Sequence, residues 1–155
     1  MIENIPVLLK VFDTATKALS GFTGWKSKTK GDARAVVEEL KENSRYFWLV
    51  IEEDVPIGKI INKLSTLEYD RLCKEDYNFN FLQMKKIASY KSLEGTNLSS
   101  WQGKETKKLV SNIYDKIKDL KAQYPLSKNS KKIQWKQRVR NTQKRILLLL
   151  RHASS

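Results

Sequence analysis

The chain has 155 residues, of which 40% are hydrophobic and 30% charged, and its formal net charge is +13. This length is typical of one domain, and the small numbers of glycine and proline, six and three, disfavour disordered, collagen-like and many-turned β proteins. Cys73 is the only cysteine, which excludes an intrachain disulfide and the usual structural zinc spacings. We therefore expect residues 1–155 to form a single helical domain in a reducing, cytoplasmic setting.

A first long helix is predicted at about residues 6–20, where apolar side chains, Phe12 among them, recur at helical spacing. Pro6 suits the first turn of a helix, because its missing N–H would be unpaired there anyway. Charged residues interrupt this apolar segment and no basic stretch precedes it. Those features argue against both a signal peptide and a membrane span. A polar loop is expected at residues 26–31.

The second long helix is predicted at about residues 32–54. Asp32 is a good N-cap residue, and Pro56 cannot continue the helix. The cluster 46–51 is apolar almost all round, so it could also form a strand. We prefer a helix because the helical periodicity before it is unbroken, and we expect this part to be covered on more than one side.

Shorter elements follow, with helices predicted at about residues 56–64, 66–76 and 80–90. Ser65 and Glu68 have the spacing of a capping box, in which each side chain satisfies a free backbone N–H at the start of a helix. In the last of these helices, Phe81 and Met84 are expected to point inward. Aromatic residues near position 79 could stack on nucleic-acid bases, but filling of the core is the simpler explanation. Residues 91–103 lack periodicity and are predicted to form a loop.

Two more long helices are predicted at about residues 104–123 and 131–152, the first of them ending before Pro125. A short loop between long helices favours antiparallel neighbours. The predicted fold is therefore all-α, a four-helix-bundle-like single domain with short helices inserted between the second and third long helices. Besides Phe12, the residues predicted to be buried are Leu40, Phe47, Ile113, Ile117, Trp135, Val139 and Ile146.

The positive charge is concentrated in the last third of the chain. Residues 1–103 contain 15 Lys and Arg against 14 Asp and Glu, whereas residues 104–155 contain 15 against 3. On the predicted helix 131–152, apolar residues form one stripe and Lys136, Arg140 and Lys144 form a ridge on another face. The candidate anion-binding residues are all the cations of this helix: Lys131, Lys132, Lys136, Arg138, Arg140, Lys144, Arg145 and Arg151.

Groups for catalysis are scarce in this sequence. His152 is the only histidine, so a Ser-His-Asp triad, a Cys-His pair and a multi-histidine metal site are excluded or strained. The glycines are isolated, and no phosphate-binding glycine loop is present. Acidic pairs leave open a carboxylate-only Mg²⁺ site, but most of these pairs are expected to lie on solvated faces or at helix ends. We expect a protein that is not an enzyme, with no metal and no cofactor.

Three binding functions remain open for such a domain. The leading expectation is a binding module whose last two helices contact an anionic macromolecule, with DNA or RNA first, because Lys and Arg on a rigid helix can contact successive phosphates. The alternative is a protein-interaction domain or adaptor, with a second copy of the chain as one possible partner. Leu147 and Leu148 are the candidate partner contacts, because both lie off the main apolar stripe. These two leucines could instead widen the buried face. The third is peripheral binding to an anionic membrane. A basic face that is only solvated fits the charge pattern as well.

Overall fold

The structure of the protein, a computed structural model, describes the backbone of residues 27–155 and the side chains of residues 30–91 and 93–155. The predicted helix 6–20 and the predicted core residue Phe12 lie outside the described residues. The α-helices of the described chain are α1 (Ser27–Glu52), α2 (Ile57–Ile60), α3 (Leu67–Lys74), α4 (Thr106–Ser127) and α5 (Trp135–Ala153). Short 3-10 helices connect them at Ile61–Lys63, Phe79–Leu82, Lys91–Leu93 and Asn97–Trp101. The predicted all-α class is confirmed, and no strand occurs between residues 27 and 155.

Helix α5 packs against both α1 and α4, and the short helices between α1 and α4 close the remaining sides of the core. Each core residue that was predicted within the described range is buried, most of them completely. Those residues are Leu40, Phe47, Ile113, Ile117, Trp135, Val139 and Ile146. The apolar periodicity of the sequence thus indicated the correct inward faces of all three long helices.

Helix α1 already includes residues 27–31, which were predicted to be a loop, and the predicted N-cap role of Asp32 is wrong. Asp32 lies inside the helix, and its carboxylate accepts a hydrogen bond from the guanidinium of Arg71 on α3 at 3.3 Å. Because the helix begins at Ser27, the free backbone N–H groups of its first turn precede Asp32, and its side chain has no capping role there. The ambiguous segment 46–51 is helical, as predicted.

The predicted capping box at the start of α3 is also wrong. The hydroxyl of Ser65 donates to Glu39 on α1 at 2.9 Å, and the backbone N–H of Glu68 donates to the same carboxylate at 2.8 Å. The carboxylate that caps α3 therefore comes from another helix, about 30 residues earlier in the chain. Asn43 adds to this joint, since its side-chain amide exchanges two hydrogen bonds with the backbone of Ser65, at 2.8 and 2.9 Å.

The predicted helix 80–90 is wrong beyond its first turn. Only Phe79–Leu82 is helical, as a 3-10 turn, and Gln83 then has an extended backbone. The chain then runs alongside the segment that precedes α4. There the N–H of Ile87 donates to the carbonyl of Lys104 at 3.0 Å, and the N–H of Gly103 donates to the carbonyl of Ile87 at 2.8 Å. These bonds satisfy the backbone groups that a helix would have used. As a result Met84, which was expected to be buried, is 67% exposed, and Phe81 is exposed as well.

Helix α4 continues past its predicted end at residue 123, with Pro125 inside its last turn. Pro125 cannot donate a hydrogen bond to the carbonyl of Lys121. Because Pro125 and Leu126 are exposed, water can reach this end of the helix and the loss is small. Helix α5 begins later than predicted, at Trp135, so Lys131 and Lys132 lie in the loop before it.

His152 anchors the end of α5 to the start of α4. Its side chain is buried, and its Nε2 lies 2.8 Å from the hydroxyl oxygen of Thr106, which itself donates to the carbonyl of Gln83 at 2.6 Å. The hydroxyl therefore accepts from the imidazole, which assigns the proton of a neutral ring to Nε2. The other ring nitrogen, Nδ1, is buried without a hydrogen-bond partner.

We expect the protein to lose stability in acid because of this histidine. Burial lowers the pKa of His152 below the ordinary value of about 6.5, although the nearby backbone of Lys85 opposes the shift. Below pH ~6.5 the unfolded chain therefore binds more protons than the folded one, and the free energy of unfolding falls as the pH falls towards the folded-state pKa. Denaturant titrations at several pH values should show this slope. The slope should be smaller in His152→Gln, and an unchanged slope would assign the acid sensitivity to other groups.

Candidate anion-binding surface on the last helix

Helix α5 has two unlike halves. The five consecutive residues from Ile146 to Leu150 are all buried, whereas exposed or half-buried cations occur from Lys136 to Arg145. A helix that is apolar all round must be covered on all sides. The surface that α5 offers to a partner is therefore confined to its N-terminal half and to the loop before it.

The C-terminal half includes three of the candidate residues. Leu147 and Leu148 are only 6% and 4% exposed, so they are not the exposed leucines that the partner-contact prediction assumed, and Leu148 belongs to the main hydrophobic core. Arg151 is half-buried, and its guanidinium lies 4.0 Å from the ring centre of Tyr90. This cation–π contact engages the guanidinium within the protein.

The predicted ridge of Lys136, Arg140 and Lys144 does not form one uniform row of free cations. Lys136 donates to the carboxylate of Asp54 at 2.6 Å, just past the end of α1, where Asp54 has a left-handed backbone with φ of 53°. The hydrogen bond from Lys136 and the charge of that lysine, with a smaller contribution from Arg140, lower the pKa of Asp54. Lys136 thus has an acidic partner within the chain, and Lys144 is the one member of this ridge that is exposed rather than half-buried.

Arg140 is half-buried, and its Nε is buried without a hydrogen-bond partner. Neither Arg140 nor Lys144 forms an ion pair with a carboxylate of the described chain. Lys144 therefore keeps its charge on this side of α5, whereas the charge of Arg140 acts on nearby Asp54 and its half-buried side chain is less accessible to a large partner.

Arg138 and Arg145 lie on the other side of α5, towards α4. Arg138 donates to the side-chain oxygen of Gln123 on α4 at 2.5 Å, and its guanidinium lies 5.3 Å from the ring centre of Trp135. Arg145 is half-buried, and it donates to the backbone carbonyl of Asn141 at 2.9 Å. Both guanidinium groups are thus held in place by neutral partners, and neither has an ion pair in the described chain.

A cleft of approximately 260 Å³ opens between α4 and α5 beside these arginines. We call it the cation cleft, and six polar residues line it: Lys116, Asp119, Gln123, Arg138, Asn141 and Thr142. Lys116 was not among the candidate residues, because only the antiparallel packing of α4 on α5 brings it close to Arg138 and Arg145. The one feature of the sequence that could have indicated Lys116 was the short loop between the two helices. It predicts antiparallel neighbours, and hence cations of both helices on one surface.

The pKa of Lys116 reflects this concentration of positive charge. Burial is the largest cause that lowers it, the charge of Arg145 is the next, and Arg138 adds a smaller effect, while Asp119 opposes them. Burial also lowers the pKa of Arg145. An ammonium that is partly buried near two guanidinium groups is less stable in its charged form than one in water.

The remaining candidates, Lys131 and Lys132, are exposed in the loop that leads into α5. Together with Arg138 and Lys144 they form a group that we call the exposed basic residues. No carboxylate of residues 30–155 forms an ion pair with any of the four. Their charges are therefore available to an external anion.

The part of the chain that the structure describes holds no group of three or more His, Cys, Asp or Glu side chains arranged to bind a metal ion. Among the helices from residue 27 onward, none combines the length and the apolar character needed to span a bilayer. Comparison with protein-family models, with curated proteins and with solved structures found no match for this chain.

Proposed function

We propose that this protein is a non-enzymatic module that binds the phosphate backbone of nucleic acid, DNA or RNA, through the loop before α5 and the N-terminal half of α5. The observation that carries the proposal is that the four exposed basic residues have no acidic partner in the described chain. Some exposed cations elsewhere do pair with carboxylates of the protein, as in Lys118 with Asp70 at 2.6 Å and Arg45 with Glu42 at 2.7 Å. Exposed lysines such as Lys74 and Lys86 form no ion pair within the described chain either, so the proposal also depends on the high density of cations at the last helix.

The charge distribution along the chain supports the same conclusion. Residues 104–155 carry 15 Lys and Arg but only 3 Asp and Glu, so a nearby polyanion meets little repulsion there. Contacts between Lys or Arg and phosphates release counterions, which gives affinity without base recognition. We infer binding that depends on backbone charge rather than on base sequence.

The adaptor alternative has lost its original evidence because Leu147 and Leu148 are buried. An acidic protein surface remains the runner-up partner, since the same cations would attract it. Attachment to an anionic membrane ranks third, because the leucines that would insert into lipid lie inside the protein.

The proposal is tested by charge reversal in the triple variant Lys131→Glu, Lys132→Glu, Lys144→Glu. Fluorescence anisotropy with labelled single-stranded and duplex DNA and RNA should show that the unmutated protein binds more weakly as salt rises. Each phosphate contact adds about 0.7–0.9 to the slope of log affinity against log salt concentration. In the triple variant the magnitude of this slope should be smaller by about 2, and the affinity at low salt should be weaker by more than about tenfold.

A matched control has the same change in net charge at another place. Lys74, Lys86 and Lys91 are exposed lysines of the nearly neutral part of the chain, and their reversal to Glu should leave most of the affinity. Equal losses in the two triple variants would show that only net charge matters. No salt-sensitive affinity of the unmutated protein for any of the nucleic acids would refute the proposal, and anionic vesicles and an acidic polypeptide in the same assay would then test the other two partners.

A further inference from the structure

The cation cleft differs from the exposed basic residues in having walls. Residues of two antiparallel helices line it, and three cations, Lys116, Arg138 and Arg145, lie in or beside it. Asp119 is the only carboxylate in the lining, and it forms no ion pair with these cations. The positive charge of the cleft thus exceeds its negative charge in the described chain.

The two arginines of the cleft are held in position by neutral groups. Gln123 and the ring of Trp135 fix the guanidinium of Arg138, and the Asn141 carbonyl fixes that of Arg145. Groups that are already oriented lose little conformational entropy when a ligand binds. The repulsion among them is part of the folded state, and an anion placed between them would relieve it.

The neutral residues of the lining supply further donors. The side-chain oxygen of Asn141 accepts from Gln137 at 3.1 Å, and that of Gln123 accepts from Arg138. The amide nitrogens of Asn141 and Gln123 form no hydrogen bond within the described chain. Since an amide nitrogen is a donor only, both groups can complement a ligand that is rich in acceptor oxygens.

The size of the cleft limits the ligand. A volume of 260 Å³ lies just below the range of about 300–1,000 Å³ that is typical of sites for drug-sized molecules. A phosphate has three or four acceptor oxygens and up to two negative charges, and guanidinium groups bind it in bidentate fashion. A carboxylate has fewer oxygens and one charge, so it would leave more of these donors unused.

From this geometry we propose that the cation cleft is a discrete binding site for one phosphate group, bound by Lys116 and Arg138 with the amides of Gln123 and Asn141. Arg145 contributes its charge from beside the site. The phosphate can belong to a small phosphorylated molecule or to the terminus of a nucleic acid. This site does not depend on the proposed function, because the exposed basic residues used there, apart from Arg138, lie outside the cleft.

The experiment is a titration of the ¹⁵N-labelled protein with inorganic phosphate at constant ionic strength. Binding is monitored by NMR through the side-chain amide signals of Gln123 and Asn141. We expect saturable shifts of these signals. Arg138→Gln and Lys116→Met should each weaken phosphate binding by about tenfold or more, since each removes a charged hydrogen-bond donor. Asp119→Asn should strengthen binding several-fold, because it removes the one carboxylate that repels the ligand.

The triple variant Lys131→Glu, Lys132→Glu, Lys144→Glu is the matched control, and it should bind inorganic phosphate almost as well as the unmutated protein. Titration with an oligonucleotide that has a 5′-phosphate, and with the same oligonucleotide lacking it, identifies the source of the group. If the phosphorylated oligonucleotide binds more strongly, and Lys116→Met abolishes that difference, the cleft is a site for nucleic-acid ends. If both oligonucleotides bind equally, the cleft is a site for a small phosphorylated molecule.

Shifts that do not saturate, or that are the same in Lys116→Met and Asp119→Asn, would overturn the proposal. Salt-sensitive nucleic-acid binding could persist in that case, so the two proposals fail independently. Circular dichroism of each variant confirms that it is folded, and the gain expected for Asp119→Asn cannot result from loss of structure.

Discussion

Glu39→Ala should lower the free energy of unfolding by at least about 3 kcal/mol, although it removes a charged residue and no large apolar group. The side chain of Glu39 is buried on α1, and its two carboxylate oxygens accept four hydrogen bonds at 2.8–3.3 Å. The donors are the hydroxyls of Ser65 and Tyr114 and the backbone N–H groups of Glu68 and Tyr69. Alanine would leave these donors without an acceptor, and each unpaired buried donor costs about 1–3 kcal/mol.

Urea denaturation of Glu39→Ala, Tyr114→Phe and Glu42→Ala tests this expectation. Tyr114→Phe removes one of the four bonds and should cost less than Glu39→Ala. Glu42 is an exposed neighbour on the same helix, paired only with Arg45, so Glu42→Ala should change stability by less than about 0.5 kcal/mol. Equal effects of the Glu39 and Glu42 substitutions would mean that Glu39 does not organise the junction of α1, α3 and α4.

Leu148→Asp should destabilise the protein strongly, with an expected loss of at least about 4 kcal/mol. Leu148 is buried within the main hydrophobic core. Truncation of a buried leucine to alanine costs about 2–5 kcal/mol, and aspartate adds the penalty of a buried charge without a partner. This loss is comparable with the total stability of a small domain, about 5–15 kcal/mol.

The matched control for Leu148→Asp is Lys144→Asp, one turn earlier on the same helix. Lys144 is exposed, so its substitution should alter the melting temperature in a circular dichroism scan by only a few degrees. If Leu148→Asp melted at the temperature of the unmutated protein, Leu148 would have to be accessible to solvent. The adaptor alternative would then regain its evidence.

The sequence could predict the part of the fold that depends on local periodicity. The inward faces of α1, α4 and α5 follow the spacing of apolar residues, because a helix turns by about 100° per residue whatever its neighbours are. For the same reason Ile113 and Val139 were correctly predicted to be buried. The concentration of cations in the last third of the chain is likewise a property of the sequence.

The tertiary structure alone decided which polar groups meet. The carboxylate that caps α3 lies on α1, and the acid that binds Lys136 lies just past the C-terminal end of the same helix. Residues that are distant along the chain leave no periodic signal when they pair, so a local capping rule chose Ser65 and Glu68 instead. The extended chain after Leu82 has the same explanation, since Ile87 obtains its backbone hydrogen bonds from residues 103 and 104.

The candidate site shows both contributions. The excess positive charge of the last helix follows from the sequence alone, because that charge is a sum over residues and needs no fold. Only the packing of α5 between α1 and α4 decided which of those charges reach solvent. It buried Leu148 in the main core, gave Lys136 an acidic partner, and placed Lys116 beside Arg138, because burial and charge pairing depend on the neighbours that the fold brings together.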